Sequence, residues 1–127
     1  MPKIVMIDDD LSLLGMTQRF LESQGWGFRG ASTAADGLQE LSKEAPDIIL
    51  LDVNLPDSDG MAVCSKLKAD PATRNVPLVL FSGDRKTAED ILRGLGASGA
   101  DGYVVKPVHL GVLKAKLEAV LRPFEKN

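Results

Sequence analysis

Four consecutive apolar residues, Ile48, Ile49, Leu50 and Leu51, run straight into an aspartate, Asp52. A short run unbroken by polar residues reads as a strand buried on both faces, the form strands take inside a parallel sheet. Asn54, Pro56, Asp57 and Gly60 follow, and all are turn formers. The chain thus carries a carboxylate out of a dry interior and leaves it at the mouth of a loop. In an open parallel sheet, ligands bind beyond the carboxyl ends of the strands.

The pattern recurs along the chain. Residues 3–7 form an apolar run ending in Asp8-Asp9-Asp10, and residues 78–81 form another ending in Ser82-Gly83-Asp84. Residues 103–105 make a shorter one, ending in Lys106-Pro107. Residues 26–31, with Arg29 and two glycines, are more polar and predict a strand at a sheet edge, where one side is wet. Helical spacing fills the gaps at about 11–24, 34–44, 61–69, 87–95 and 110–121. In the first of these helices Leu11, Leu13, Leu14, Phe20 and Leu21 share a stripe, and Gly25 stops it. In the fourth, Ala88, Ile91, Leu92 and Leu95 point inward. Strand and helix alternate five times. This predicts one α/β domain over residues 1–127, a parallel sheet with helices on both faces.

Charge and composition narrow the function. A net charge of −3 gives no basic footprint, so direct nucleic-acid binding by this domain is not expected. No apolar run approaches the ~20 residues that span a membrane. Met1-Pro2-Lys3 has no signal-peptide shape, so the expected compartment is the cytoplasm. Cys64 is the single cysteine, which leaves no disulfide framework and no cysteine zinc site.

The residues at the strand ends carry the chemistry. The first strand delivers Asp8 and Asp9, the third Asp52, the fourth Ser82 and the fifth Lys106. A parallel sheet puts all five on one rim. Singly, each aspartate is an ordinary turn or cap residue. Together they repel: two unit charges 4 Å apart interact by ~4 kcal/mol at an effective dielectric of 20. Such a cluster persists when a cation belongs in it. All-oxygen ligands, few in number and supplemented by water, suit magnesium better than calcium. Lys106 and the Ser82 hydroxyl can then meet the oxygens of a phosphoryl group. Asp52 is the candidate nucleophile, since carboxylates form aspartyl-phosphates in covalent phosphoryl transfer.

Four motifs in order resemble a known family. They are Ile7-Asp8-Asp9-Asp10, Leu51-Asp52-Val53-Asn54-Leu55-Pro56 with Asp59-Gly60, Leu80-Phe81-Ser82-Gly83, and Tyr103-Val104-Val105-Lys106-Pro107. The chain is similar over nearly its whole length to the receiver domain of bacterial two-component response regulators. That resemblance implies a flavodoxin-like, doubly wound five-stranded sheet of order 2-1-3-4-5 with five helices. It implies phosphorylation of Asp52 by a sensor histidine kinase or a phosphotransfer protein. Mg2+ would be held by Asp9 directly, by Asp8 through water, by Asp52 and by the backbone carbonyl of Asn54. Ser82, Gly83 and Lys106 would surround the phosphoryl group, and a cis peptide would precede Pro107. Ser82 and Tyr103 would form the switch, altering the face of the fourth helix, fifth strand and fifth helix. That face would act on a downstream partner or a linked output domain, or form a phosphorylation-dependent homodimer. Tyr103 equally suits plain packing on a helix.

The resemblance implies no external substrate. The protein would catalyse only its own phosphorylation and dephosphorylation. A phosphatase acting on other molecules lacks its Asp-x-Asp loop here, because Asn54 stands two residues past Asp52. A flavin-binding flavodoxin lacks Gly, Ser or Thr amides in the first loop, which is acidic. The segment from Ser82 to Lys106 is about two residues longer than usual in the family, and the excess is placed in the fourth helix or at 94–99. Asp10 and Asp59 are expected as helix caps, Asp57 as a solvated turn residue, Cys64 as packing and His109 as a surface or helix-start residue.

Overall fold

The computed structural model describes residues 1–95 and 100–124. Five parallel strands form one sheet: β1 (Lys3–Ile7), β2 (Gly27–Ala31), β3 (Ile48–Asp52), β4 (Leu78–Ser82) and β5 (Gly102–Val105). Their order is β2-β1-β3-β4-β5. The helices are α1 (Leu11–Ser23), α2 (Ala34–Lys43), α3 (Gly60–Ala69), α4 (Arg85–Leu95) and α5 (Leu110–Leu121). A 3-10 turn, Arg122–Phe124, extends α5.

Side chains alternate across each strand and so split the core in two. Ile4, Met6, Ile48, Leu50, Val79 and Phe81 face α1 and α5 and meet Leu21, Leu113 and Leu117. Val5, Ile7, Ile49, Leu51, Leu78 and Leu80 face the other way, against Leu41, Val63, Leu67 and Ile91. β3 lies at the centre, and all five of its residues are buried. β2 pairs with β1 alone, which makes it the edge that its polar content predicts.

Four details differ from the sequence reading. Trp26 lies outside β2, because its amide goes back to the Leu21 carbonyl at the end of α1. Its side chain is buried beside Leu21 instead. Leu11 is 71% exposed, while Thr17, a polar residue, is buried in the stripe. α4 begins at Arg85, two residues earlier than expected. Asp84 explains this: its carboxylate accepts from the Lys86 amide and the Thr87 hydroxyl, and its carbonyl takes the Ala88 amide. A short hairpin, Asn54–Leu55 against Ser58–Asp59, stands where a plain loop was expected. The expected caps form: Asp10 accepts from the Leu13 amide and Asp59 from Ala62. His109 stands at the start of α5 and accepts from the Gly111 amide. The Leu95 side chain and residues 96–99, one of the places assigned to the extra length, lie outside the described residues.

Gly37 shows how closely α2 lies on the sheet. A Cβ there would strike Ile7 Cδ1 and come within 2.7 Å of Ile7 Cγ1, and Ile7 is fully buried. Alanine is the better helix former by about 1 kcal/mol, but forced overpacking costs about 1–3 kcal/mol. Gly37→Ala is therefore expected to lower the urea midpoint of unfolding. A raised midpoint would show that α2 has room to retreat.

Candidate functional site

The carboxyl ends of β1, β3, β4 and β5 bring the five expected residues to one rim. Register sets their heights: Ile7 pairs with Leu51, Asp52 with Phe81, and Ser82 with Val105. Asp52 and Ser82 are the last residues of their strands rather than the first beyond them. Each hydrophobic strand thus lifts its polar terminal residue to the surface of a sealed core.

Lys106 organises the charges. Its Nζ lies 2.8 Å from Asp8 Oδ2 and 3.4 Å from Asp52 Oδ2. It also sits 5.0 Å from the ring centroid of Phe81, a cation–π contact that steadies the side chain. Asp8 is fully buried, Asp52 is 5% exposed, and Asp9 is exposed. The three aspartates each offer a carboxylate oxygen, and these oxygens lie within 4.8 Å of one another. Asp8 Oδ1 accepts the Asp10 amide at 2.9 Å, and Asp52 Oδ1 accepts the Asn54 amide at 3.1 Å.

The balance of charge is negative, with three carboxylates facing one ammonium. Burial, with a smaller push from neighbouring Asp8, raises the Asp52 carboxyl to about 6 against the pull of the Asn54 amide and of Lys106. Burial works to discharge Lys106, but the carboxylates of Asp8 and Asp52 outweigh it and hold the ammonium above its usual range. Asp8 Oδ2 is buried, and among the described residues no donor is aligned with it for a hydrogen bond; the Lys106 contact is an ion pair by distance alone. A buried oxygen with a free lone pair, beside two more carboxylates, fits a hard divalent cation. Asn54 borders the same open groove as Asp9, together with Leu55, Pro56, Ser58 and Asp59.

The remaining expected residues lie around this centre. The Ser82 hydroxyl donates to the Asp84 carbonyl at 2.8 Å and accepts the Asp84 amide at 3.0 Å. A Cβ on Gly83 would meet nothing within 4 Å, so the rim is open there. Tyr103 is half-buried and packs on the α2–α4 side; its hydroxyl donates to Glu89 Oε2 at 2.9 Å. That bond, with burial, holds the phenol above its ordinary range. The Lys106–Pro107 peptide is cis. Cys64 is buried, its thiol pushed up to about 12 by burial, as suits a packing residue.

Sequence reasoning missed three contributors. Phe81 supports Lys106, and Asp84 holds Ser82. Asp57 is exposed, as expected for a turn, but its carboxylate binds two amides of α2. For Phe81 the signal was present, since an aromatic stands next to last in β4 and the neighbouring strand β5 runs into a lysine. The other two depend on loop conformations that no periodicity records.

A five-stranded flavodoxin-like sheet with three acids and a lysine on one rim defines a class of α/β signalling domain. The chain belongs to the response regulator receiver domain family, whose sequence pattern matches residues 4–118. It is 40% identical to the transcriptional regulatory protein AfsQ1 of Streptomyces coelicolor, over 100% of this chain and 54% of that protein. It is 36% identical to the transcriptional regulatory protein PrrA of Mycobacterium tuberculosis, over 95% of this chain and 50% of that one. The chain thus spans about half the length of these curated relatives. Among solved structures, a two-component response regulator from Clostridium difficile superposes with TM-score 0.86 at 28% identity, covering 99% of this chain and 100% of the other. No helix among the described residues is long and apolar enough to cross a membrane.

The raised Asp52 carboxyl sets a pH-dependent stability. A carboxyl that holds its proton more tightly when folded lets the native state bind more protons between its ordinary value, 3.8, and about 6. Stability therefore falls as pH rises through that window, and the cost is fully present above it. At about 1.4 kcal/mol per pKa unit the upper bound is roughly 3 kcal/mol. Asparagine also loses the Lys106 contact. Asp52→Asn should stabilise the metal-free protein at pH 7.5 by on the order of 1–2 kcal/mol in urea unfolding. The gain should disappear by about pH 4. A destabilised variant at pH 7.5 would contradict this account of the charges.

Proposed function

We propose that Asp52 accepts a phosphoryl group from the phosphohistidine of a sensor histidine kinase or a phosphotransfer protein, with Mg2+ held by the acidic cluster. One observation carries the reading: Lys106 lies between Asp8 and Asp52 on the open rim of a receiver-family fold. Asp8, Asp9, Asp52 and the Asn54 backbone carbonyl would hold the metal. A magnesium ion there would offset the negative charge between the carboxylate and the incoming phosphoryl oxygens.

This chain's own residues supply the rest. Once unprotonated, Asp52 is an ionised nucleophile and needs no general base. Its oxygen forms the bond to phosphorus while the phosphorus–nitrogen bond breaks, and the departing imidazole keeps the electron pair and takes a proton. Lys106 leaves its partner oxygen on Asp52 and meets a phosphoryl oxygen. The Ser82 hydroxyl meets another, and the bare Gly83 leaves space beside it. Ser82 must then give up both bonds to Asp84, the residue that caps α4. Tyr103, turning inward, gives up Glu89 of the same helix. Both exchanges end on α4, so the altered face is that of α4, β5 and α5. A downstream partner, a linked output domain or a second copy of the chain would read it. No external substrate is proposed.

A small phosphodonor such as phosphoramidate, with Mg2+, should add one phosphoryl mass to the intact protein. The adduct should be labile to hydroxylamine. It should be absent without metal and in Asp52→Asn. No mass gain with any donor would overturn the reading.

A further inference from the structure

The hairpin after β3 has only two residue pairs, Asn54 with Asp59 and Leu55 with Ser58. Two pairs do not hold a hairpin in place by themselves. Its first residue nevertheless carries weight in the site, since the Asn54 amide binds Asp52 Oδ1 and Asn54 borders the groove beside Asp9. Something outside must fix it. Leu55 is buried in the core on the α2–α4 side. The Gly60 amide returns to the Val53 carbonyl at 2.8 Å, an approach so close that a Cβ on Gly60 would lie 2.8 Å from Val53 Cα. Leu55 anchors the first strand of the hairpin, and the Gly60–Val53 contact holds its base.

Asp57 holds the tip. Its Oδ1 accepts the Ala34 amide at 2.8 Å, and its Oδ2 accepts the Ala35 amide at 3.0 Å. These are the first two amides of α2, which have no partner within the helix. Thr33 Oγ1 takes the third, from Asp36. The first turn of α2 is thereby satisfied, two-thirds of it by a residue 22 to 23 positions away in sequence. The positive end of the helix favours a carboxylate at that place. The two amides also hold the Asp57 carboxyl below its usual range, so it stays ionised at neutral pH.

We infer that Asp57 is a positioning residue for the metal site: by clamping the hairpin tip to the first turn of α2, it keeps the Asn54 backbone beside Asp9 and Asp52. The inference rests on the reading of the acidic cluster as a magnesium site. The competing account is that Asp57 only caps α2. The two differ in what a lost clamp does to metal affinity. A partner outside the ligands themselves typically changes affinity by 10–100-fold, and Asp57 acts through the backbone, so the low end applies.

The test is calorimetric titration of the full chain with Mg2+, at a temperature where circular dichroism shows every variant folded. Asp57→Ala should bind Mg2+ about tenfold more weakly than wild type. Thr33→Ala removes the other cap of α2 and leaves the hairpin alone; it should lose stability but keep wild-type affinity. Asp57→Asn keeps one acceptor oxygen without the charge and should fall between wild type and Asp57→Ala. The tenfold loss should persist in 0.5 M KCl, at ~4 Å screening length, where a purely long-range charge effect would fade. Wild-type affinity in Asp57→Ala overturns the inference, as does an equal loss in Thr33→Ala. Magnesium binding that is present in wild type and lost in Asp9→Ala keeps the site itself standing in either case. If wild type binds no magnesium, the site and the inference fall together.

Discussion

The ion pairing of Lys106 with Asp8 and Asp52 is the constraint on which the rest of the structure depends. The three residues come from β1, β3 and the end of β5, and they are 44 to 98 positions apart in sequence. They meet only if the strands are parallel, in the right order and in register. A shift of one residue in any strand would turn its alternating side chains to the opposite face. The two-sided core and the charged rim are therefore one requirement expressed twice. The same register that seals Ile7 and Leu51 in one layer sets Asp8 and Asp52 at the rim.

Much of the fold was legible because the signals are strong and local. Unbroken apolar runs identify β1, β3 and β4, and helical spacing identifies α2 and α5. The polar content of residues 26–31 marks the edge strand. The candidate site was legible for a related reason. Each strand ends in a residue whose type is wrong for a core, and parallel topology gathers those ends. What stayed hidden depends on the path of the backbone between elements. The Asn54–Asp59 hairpin consists of two-residue strands, too short for any period to show. Trp26 reads as a strand residue, yet an amide bond to the end of α1 removes it from β2. Asp57 reads as solvent-facing, and only the folded chain brings α2 to meet it.

The outer contacts share a feature. Ser82 is held by Asp84, Asp84 caps α4, and Tyr103 is held by Glu89 within α4. On the other side, Asp57 ties the β3 loop to α2. The rim is thus linked to its two flanking helices by polar bonds in their first two turns. Core packing holds the bodies of these helices on the sheet. Such bonds to a carboxylate are worth roughly 1.5–3 kcal/mol each net, about as much as one buried aliphatic side chain. A helix start held by a few of them can rearrange while a sheet held by many buried side chains does not.

The energetic cost of the rim explains where it stands. An acidic centre with one compensating lysine opposes folding by an amount on the order of a few kcal/mol, from burial and like-charge repulsion. β3 carries Asp52 and is, like β4, buried along its whole length, with Ile48, Ile49, Leu50 and Leu51 at 0–1% exposure. At roughly 1.5–3 kcal/mol each, those four side chains stabilise by more than the rim costs. Moved to the edge strand β2, the same carboxylate would lack that support. It would also be wetter, and water would weaken its coupling to Lys106 and to a cation alike. Placing a fully buried, apolar strand beneath a costly charge gives a stable fold and a site dry enough for electrostatics to act.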